Sequence, residues 1–167
     1  MKKCLLMLGF VMIGTVSLFG QKEKIQSVFI YNFITKYVEW PASYKSGDFV
    51  IGVLGNSPIT AELEDLAYNR NVGNQKIAVK TFKNADDITT CHVLYIPESK
   101  IGEIEKALTK IGNTLIITDN APSGTKGDAI NFMTVGGKQR FGVKAYNATN
   151  KGLIVSPELG KLVAGNG

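Results

Sequence analysis

Cysteine and histidine are scarce in this sequence: two thiols and one imidazole in 167 residues. Two thiols cannot build a disulfide-dense mini-protein or a four-cysteine zinc site, and one imidazole excludes the multi-histidine centres of most catalytic metals. Charge of one sign is not concentrated either. Nineteen Lys and Arg stand against fourteen Asp and Glu, and no basic cluster accompanies the surplus. The longest basic group, Lys138-Gln139-Arg140, adjoins Gly136-Gly137 and reads as a charged turn, so nucleic acid is not an expected partner. Internal repeats, heptads and low-complexity stretches are also missing. What is present is ordinary globular material, 44% apolar and 20% charged. That excludes disorder and fibre, and the length is that of one domain.

The long apolar run is confined to the start. Lys2 and Lys3 precede an uncharged stretch from Leu5 to Phe19, after which Gln21-Lys22-Glu23-Lys24 turns abruptly polar. A basic start followed by a run of that length is the layout of a secretory signal peptide, and it falls short of the roughly 20 apolar residues of a membrane span. Residues 1–20 are therefore expected to be a cleaved leader, with small Gly20 before the cut. Cys4 precedes the apolar run and is misplaced for lipoprotein attachment. Removal of the leader takes away Lys2, Lys3 and Cys4, leaving Cys91 as the one thiol of a periplasmic protein.

Along residues 21–167 the apolar periodicity alternates between helix and strand. Residues 25–40 carry Phe29, Ile30, Phe33, Ile34, Tyr37, Val38 and Trp40 over a wide helical arc, with Asn32, Thr35, Lys36 and Glu39 on the narrow remainder. Pro41 is the expected stop. Residues 49–54 form an apolar run suited to a strand covered on both faces. Ser57-Pro58 offers a cap and a first-turn proline for a helix bearing Ile59, Leu63, Leu66 and Ala67. Strands are expected at 76–82, 91–96 and 114–118, with a Ser99-capped helix bearing Ile101, Ile104, Leu108 and Ile111 between the last two. After a loop at 121–128, alternating runs at 129–135 and 139–145 flank Gly136-Gly137-Lys138 as a hairpin. A short helical segment stopped by Gly152, a strand at 153–155 and a terminal helix at 157–163 complete the chain. Strands alternating with helices imply crossover units. The expected fold is a single-domain, three-layer α/β structure with a mostly parallel central sheet and an appended antiparallel hairpin.

Catalytic chemistry finds little support. Cys91 and His92 are adjacent on an expected strand, where neighbouring side chains point to opposite faces, so they cannot form a dyad. No G-x-S-x-G elbow presents a serine to His92. Gly52-Val53-Leu54-Gly55 lacks the spacing of a dinucleotide-binding turn, and Gly137-Lys138 lacks the remainder of a P-loop. The acidic groups at Glu62/Glu64-Asp65, Asp86-Asp87 and Glu103/Glu105 lie among lysines and read as solvated faces. No catalytic residue, cofactor site or metal site is expected.

A particular order of segments is nevertheless distinctive. Tyr31-Asn32-Phe33-Ile34-Thr35-Lys36-Tyr37-Val38-Glu39-Trp40-Pro41 comes first, followed by Val50-Ile51-Gly52-Val53-Leu54-Gly55 and Cys91-His92-Val93-Leu94-Tyr95-Ile96. Gly127-Asp128-Ala129-Ile130-Asn131-Phe132 and Gln139-Arg140-Phe141-Gly142-Val143 complete it. In this the chain resembles the YfiR family of exported bacterial proteins, from about residue 29 to residue 163. The resemblance implies a small periplasmic α/β domain without catalytic activity. It also implies repression of an inner-membrane diguanylate cyclase through that enzyme's periplasmic portion, and hence control of cyclic di-GMP. Related domains accompany sensor kinases, so the partner is a cyclase or a kinase. Disulfides proposed within the family's best-known member cannot form here, because one cysteine is left after the leader.

The residues themselves add a candidate contact surface. A helix as aromatic as residues 29–40 needs cover, and interfaces favour such anchors. Phe29, Phe33, Tyr37 and Trp40 either fill this domain's own core or meet a membrane partner or a second copy of the chain. The alternative function is a periplasmic small-molecule-binding protein using the crevice at the strand ends.

Overall fold

A computed structural model describes residues 19–164. The leader expected over residues 1–20 lies, but for its last two residues, outside the described residues.

Apolar strands meeting two helical layers generate the architecture. Helix α1 (Phe19–Asn32) leads through a π-helical turn, Phe33–Tyr37, into the two-residue strand β1 (Val38–Glu39). There follow β2 (Phe49–Leu54), α2 (Ile59–Asn69), β3 (Asn71–Val72), β4 (Gln75–Phe82), β5 (Val93–Ile96), α3 (Ile104–Leu108) and β6 (Leu115–Asp119). The chain ends with β7 (Ile130–Val135), β8 (Lys138–Val143), α4 (Ala145–Thr149), β9 (Ile154–Val155) and α5 (Pro157–Ala164). Seven strands form one sheet in the order β3-β4-β2-β5-β6-β7-β8. Its interior pairs, from β4 to β7, are parallel, and the edge pairs β3–β4 and β7–β8 are antiparallel. This is the mixed, mostly parallel α/β fold with an antiparallel hairpin at its edge that the periodicity implied.

Alternation along the buried strands divides the interior in two. Phe49, Ile51, Val53, Val93, Tyr95, Leu115 and Ile117 face a large core completed by α1, the π-helical turn after it, α2 and α5 through Ile30, Phe33, Ile59, Leu63 and Leu159. Leu54, Leu94, Ile96 and Ile116 face the opposite layer, where Phe82, Ala85, Ile104 and Ala107 close a smaller core. Gly52 sits in this second face because Phe82 lies across it. A Cβ there would come within 2.6 Å of the Phe82 ring. The hairpin turn has Gly136 and Gly137 both at positive φ (57° and 74°), the geometry of the primed turns that match strand twist.

Several local expectations are corrected. The helix expected over 25–40 leaves α geometry after Asn32 and ends at Tyr37, short of Pro41. Val38 and Glu39 are instead drawn into antiparallel pairing with Val155 and Ile154. The Ser156 amide donates to the Tyr37 carbonyl at 2.8 Å. Side chains of Asn32 and Thr35 bond back to the carbonyls of Val28 and Tyr31, a pattern that bends helices. Ser57 does not cap α2 with its side chain; Pro58 occupies the cap position, and the Ser57 carbonyl accepts from the Thr60 amide. Ser99 lies inside a 3-10 segment, Glu98–Glu103, that precedes a short α3. Cys91 and His92 precede β5 rather than open it, although the His92 backbone still bonds to Val50 and Leu115.

Candidate functional site

The four aromatic residues singled out in the sequence do not form one exposed stripe. Phe33 (0% exposed) and Trp40 (6%) are buried in this chain's own core. Phe33 lies 6.0 Å from the Phe29 ring and 5.0 Å from the Phe141 ring, so Phe29, Phe33, Phe132 and Phe141 make one cluster under α1. Trp40 is elsewhere. It stands edge-on to Phe49 at 5.0 Å and donates from its indole nitrogen to the His92 carbonyl. Phe29 and Tyr37 are half-buried, each packed on the core with part of its surface outside. On α1 the exposed apolar side chains are Ile25 (44%) and Val28 (52%).

Cys91 and His92 are separated as their adjacency requires. Cys91 belongs to the smaller core, where burial pushes its thiol pKa up to about 12. His92 lies against the other layer, its ring stacked on Phe49 at 4.3 Å. Its Nδ1 accepts from the Val50 amide at 3.0 Å, and Nε2 is 2.7 Å from the Tyr44 carbonyl. Those partners require a proton on Nε2 and none on Nδ1, and burial lowers the imidazole pKa, partly offset by the Tyr44 carbonyl. Both ring nitrogens are thus consumed in holding the fold.

Asp86 and Glu103, from two of the acidic groups, form surface ion pairs. Lys106 lowers the Asp86 pKa and Lys100 lowers that of Glu103, both carboxylates being at the surface. Among the described residues no group of three or more His, Cys, Asp or Glu is placed to hold a metal ion.

A polar knot at the C-terminal ends of the parallel strands was not foreseen. Gln26 of α1 is fully buried and accepts from the Tyr95 hydroxyl at 2.9 Å. Its amide nitrogen reaches Asp119 Oδ1 at 3.1 Å and Gln139 Oε1 at 3.2 Å. Lys22 donates to the other Asp119 oxygen at 2.6 Å. Burial raises the Tyr95 pKa, and the nearby Asp119 and Glu23 charges raise it further. The signal in the sequence was slight: Gln26 and Ser27 are two polar residues at the head of an apolar arc, and Asp119 merely ends an apolar strand. Beside the knot opens a crevice of about 420 Å³, between the loop after β2 and the loop after β5. Glu23, Ser57, Tyr95 and Asp119 reach it.

The chain belongs to the YfiR/HmsC-like family, whose sequence model matches residues 23–163. No curated protein sequence matches it. The matched span begins at Glu23, inside α1, and so takes in the whole sheet and both helical layers. No helix among the described residues is long and apolar enough to cross a membrane.

Proposed function

We propose that this protein is an exported, non-catalytic regulator that holds an inner-membrane signalling enzyme, a diguanylate cyclase or a sensor kinase, in one state by contact with its periplasmic portion. Family membership across residues 23–163 is the observation that carries this reading. The α1 face supports it. Ile25 and Val28 are exposed, Phe29 is half-covered and stacked on buried Phe33, and Tyr37 is half-covered in the π-helical turn that follows. Contact surfaces of this kind combine anchored aromatics with a polar rim. The use made of His92 and the burial of Cys91 leave neither available as a base or nucleophile, in keeping with a binding role.

The test is a pull-down from membranes with the tagged mature chain, together with deletion of the gene. Recovery of one cyclase or kinase, and a changed output of that enzyme on deletion, is the expected outcome. Val28→Asp and Tyr37→Ser should reproduce the deletion while melting within a few degrees of the parent. Failure to recover any membrane signalling protein, with signalling untouched by deletion, ends the regulator reading. The alternative, a periplasmic small-molecule-binding protein, draws on the crevice beside Tyr95.

A further inference from the structure

Leader and domain meet inside α1, just ahead of its first anchored residue. Phe19 and Gly20 form the start of the helix. Gly20 and Gln21 are both exposed, and none of the bonds that hold the start of α1 to the sheet involves either. Anchoring begins at Lys22, whose ammonium donates to Asp119 at 2.6 Å, and continues at Gln26. A small residue at Gly20 suits leader cleavage there. The cut leaves Gln21 as the terminal residue, with a free α-amine, an exposed side-chain amide and an anchored helix behind it.

Those two groups react with each other. The uncharged α-amine attacks Cδ of its own side chain and closes a five-membered lactam. A bond forms between the α-nitrogen and Cδ, the bond from Cδ to Nε2 breaks, and ammonia leaves with one proton from the α-amine. No oxidant, metal or second substrate is consumed. An ordinary α-amine titrates at about 7.7–8.0, so an uncharged fraction is present at neutral pH. The N-terminal end of a helix also disfavours positive charge, and the lactam removes it. The helix loses nothing in exchange. Its leading N–H groups have no intrahelical partner in any case, and the Gln21 carbonyl, which accepts in the first turn, is left untouched.

We infer that Gln21 is a modification site, which becomes pyroglutamate on leader removal and so shields the anchor of α1. The inference rests on the export reading and on cleavage after Gly20, and it is independent of the partner. Shielding matters because the anchor lies so near the end. An aminopeptidase that took two residues from an open terminus would remove Lys22 and its ion pair. The lactam offers such an enzyme no α-amine.

The test uses cells that produce the full chain. Their periplasm is treated at harvest with an amine-labelling reagent, and the N-terminal peptide of the mature chain is read by tandem mass spectrometry. The expected peptide begins at Gln21, is lighter than its sequence by one ammonia, and carries no label on the α-nitrogen. Gln21→Asn keeps an amide but can close only a four-membered ring, so its α-amine should be labelled and no ammonia lost. Incubated unlabelled with a broad aminopeptidase, the parent should keep its terminus while the variant loses Lys22. A labelled α-amine on Gln21 overturns the inference and leaves export standing. A periplasmic chain that begins at another residue overturns both the inference and the cleavage position. Full-length chain in the cytoplasm overturns export as well. Loss of Lys22 from the parent as fast as from the variant overturns the shielding.

Discussion

His92 shows how a residue with catalytic reputation is used up by packing. Its ring lies between Phe49, Trp40 and Tyr44, and both nitrogens have backbone partners. Protonating Nδ1 would set an N–H against the Val50 N–H, so the fold favours the neutral ring. Its pKa therefore lies below the ordinary 6.5 in the folded chain. The unfolded chain binds the proton more readily, so this contribution to stability is complete above about pH 6.5 and is lost as pH falls below it. Urea midpoints measured from pH 8 to pH 5 should decline, and the decline should be shallower in His92→Gln, whose side chain does not titrate. Cys91 gives a second prediction at this scale. With its thiol pushed up to about 12 and enclosed by the smaller core, it should ignore a thiol reagent at pH 8 and react only as denaturant unfolds the chain. Labelling of the native protein within minutes would show that the smaller core opens.

The elements that the sequence made legible are those whose cause is local. Residues 49–54, 93–96 and 115–119 are apolar runs between turn residues, and they became the buried parallel strands. The hairpin followed from two adjacent glycines that tolerate positive φ. The end of α1 was illegible for the opposite reason. Nothing near Val38 says that β9, more than a hundred residues later, will pair with it, and local periodicity favours helix to Trp40. The knot around Gln26 is hidden in the same way, since its partners lie on β5, β6 and β8. Aromaticity marked the right element but not which side chains stay exposed. Phe33, enclosed by Phe29, Phe132 and Phe141, should lose about 3–5 kcal/mol on truncation to Ala, measured by urea unfolding. Half-buried Phe29 should lose clearly less. The loop before β7 offers a different probe. Gly127 has φ +83°, and a Cβ would come within 2.5 Å of the Leu108 side chain. Gly127→Ala should destabilise by about 1–3 kcal/mol through crowding, with further cost from the left-handed backbone.

At the scale of the molecule, α1 is fixed to the sheet by one buried polar side chain midway along it and by aromatic packing towards its end. Gln26 joins it to β5, β6 and β8 at once, and Lys22 adds an ion pair to Asp119 across 97 positions of sequence. The regulator reading needs that anchoring, because Ile25, Val28 and Phe29 are presented in one pose only if α1 is held. It also constrains processing. Cleavage after Gly20 spares Lys22, Glu23 and Gln26, whereas a cut a few residues later would remove the Lys22 ion pair. The mature protein should accordingly be found in the periplasm beginning at Gln21, by fractionation and N-terminal sequencing; full-length chain in the cytoplasm would defeat the export assignment. Gln26→Ala tests the anchor itself. It leaves the Tyr95 hydroxyl without its acceptor and Asp119 Oδ1 without its donor in a buried place, a loss of about 1–3 kcal/mol for each group left unsatisfied. Hydrogen exchange should quicken along α1 while the β2, β5 and β6 amides stay protected. Partner recovery from membranes should fall with it, even at temperatures where the sheet is fully folded. Equal exchange in α1 of parent and variant would mean that the aromatic cluster alone holds the helix.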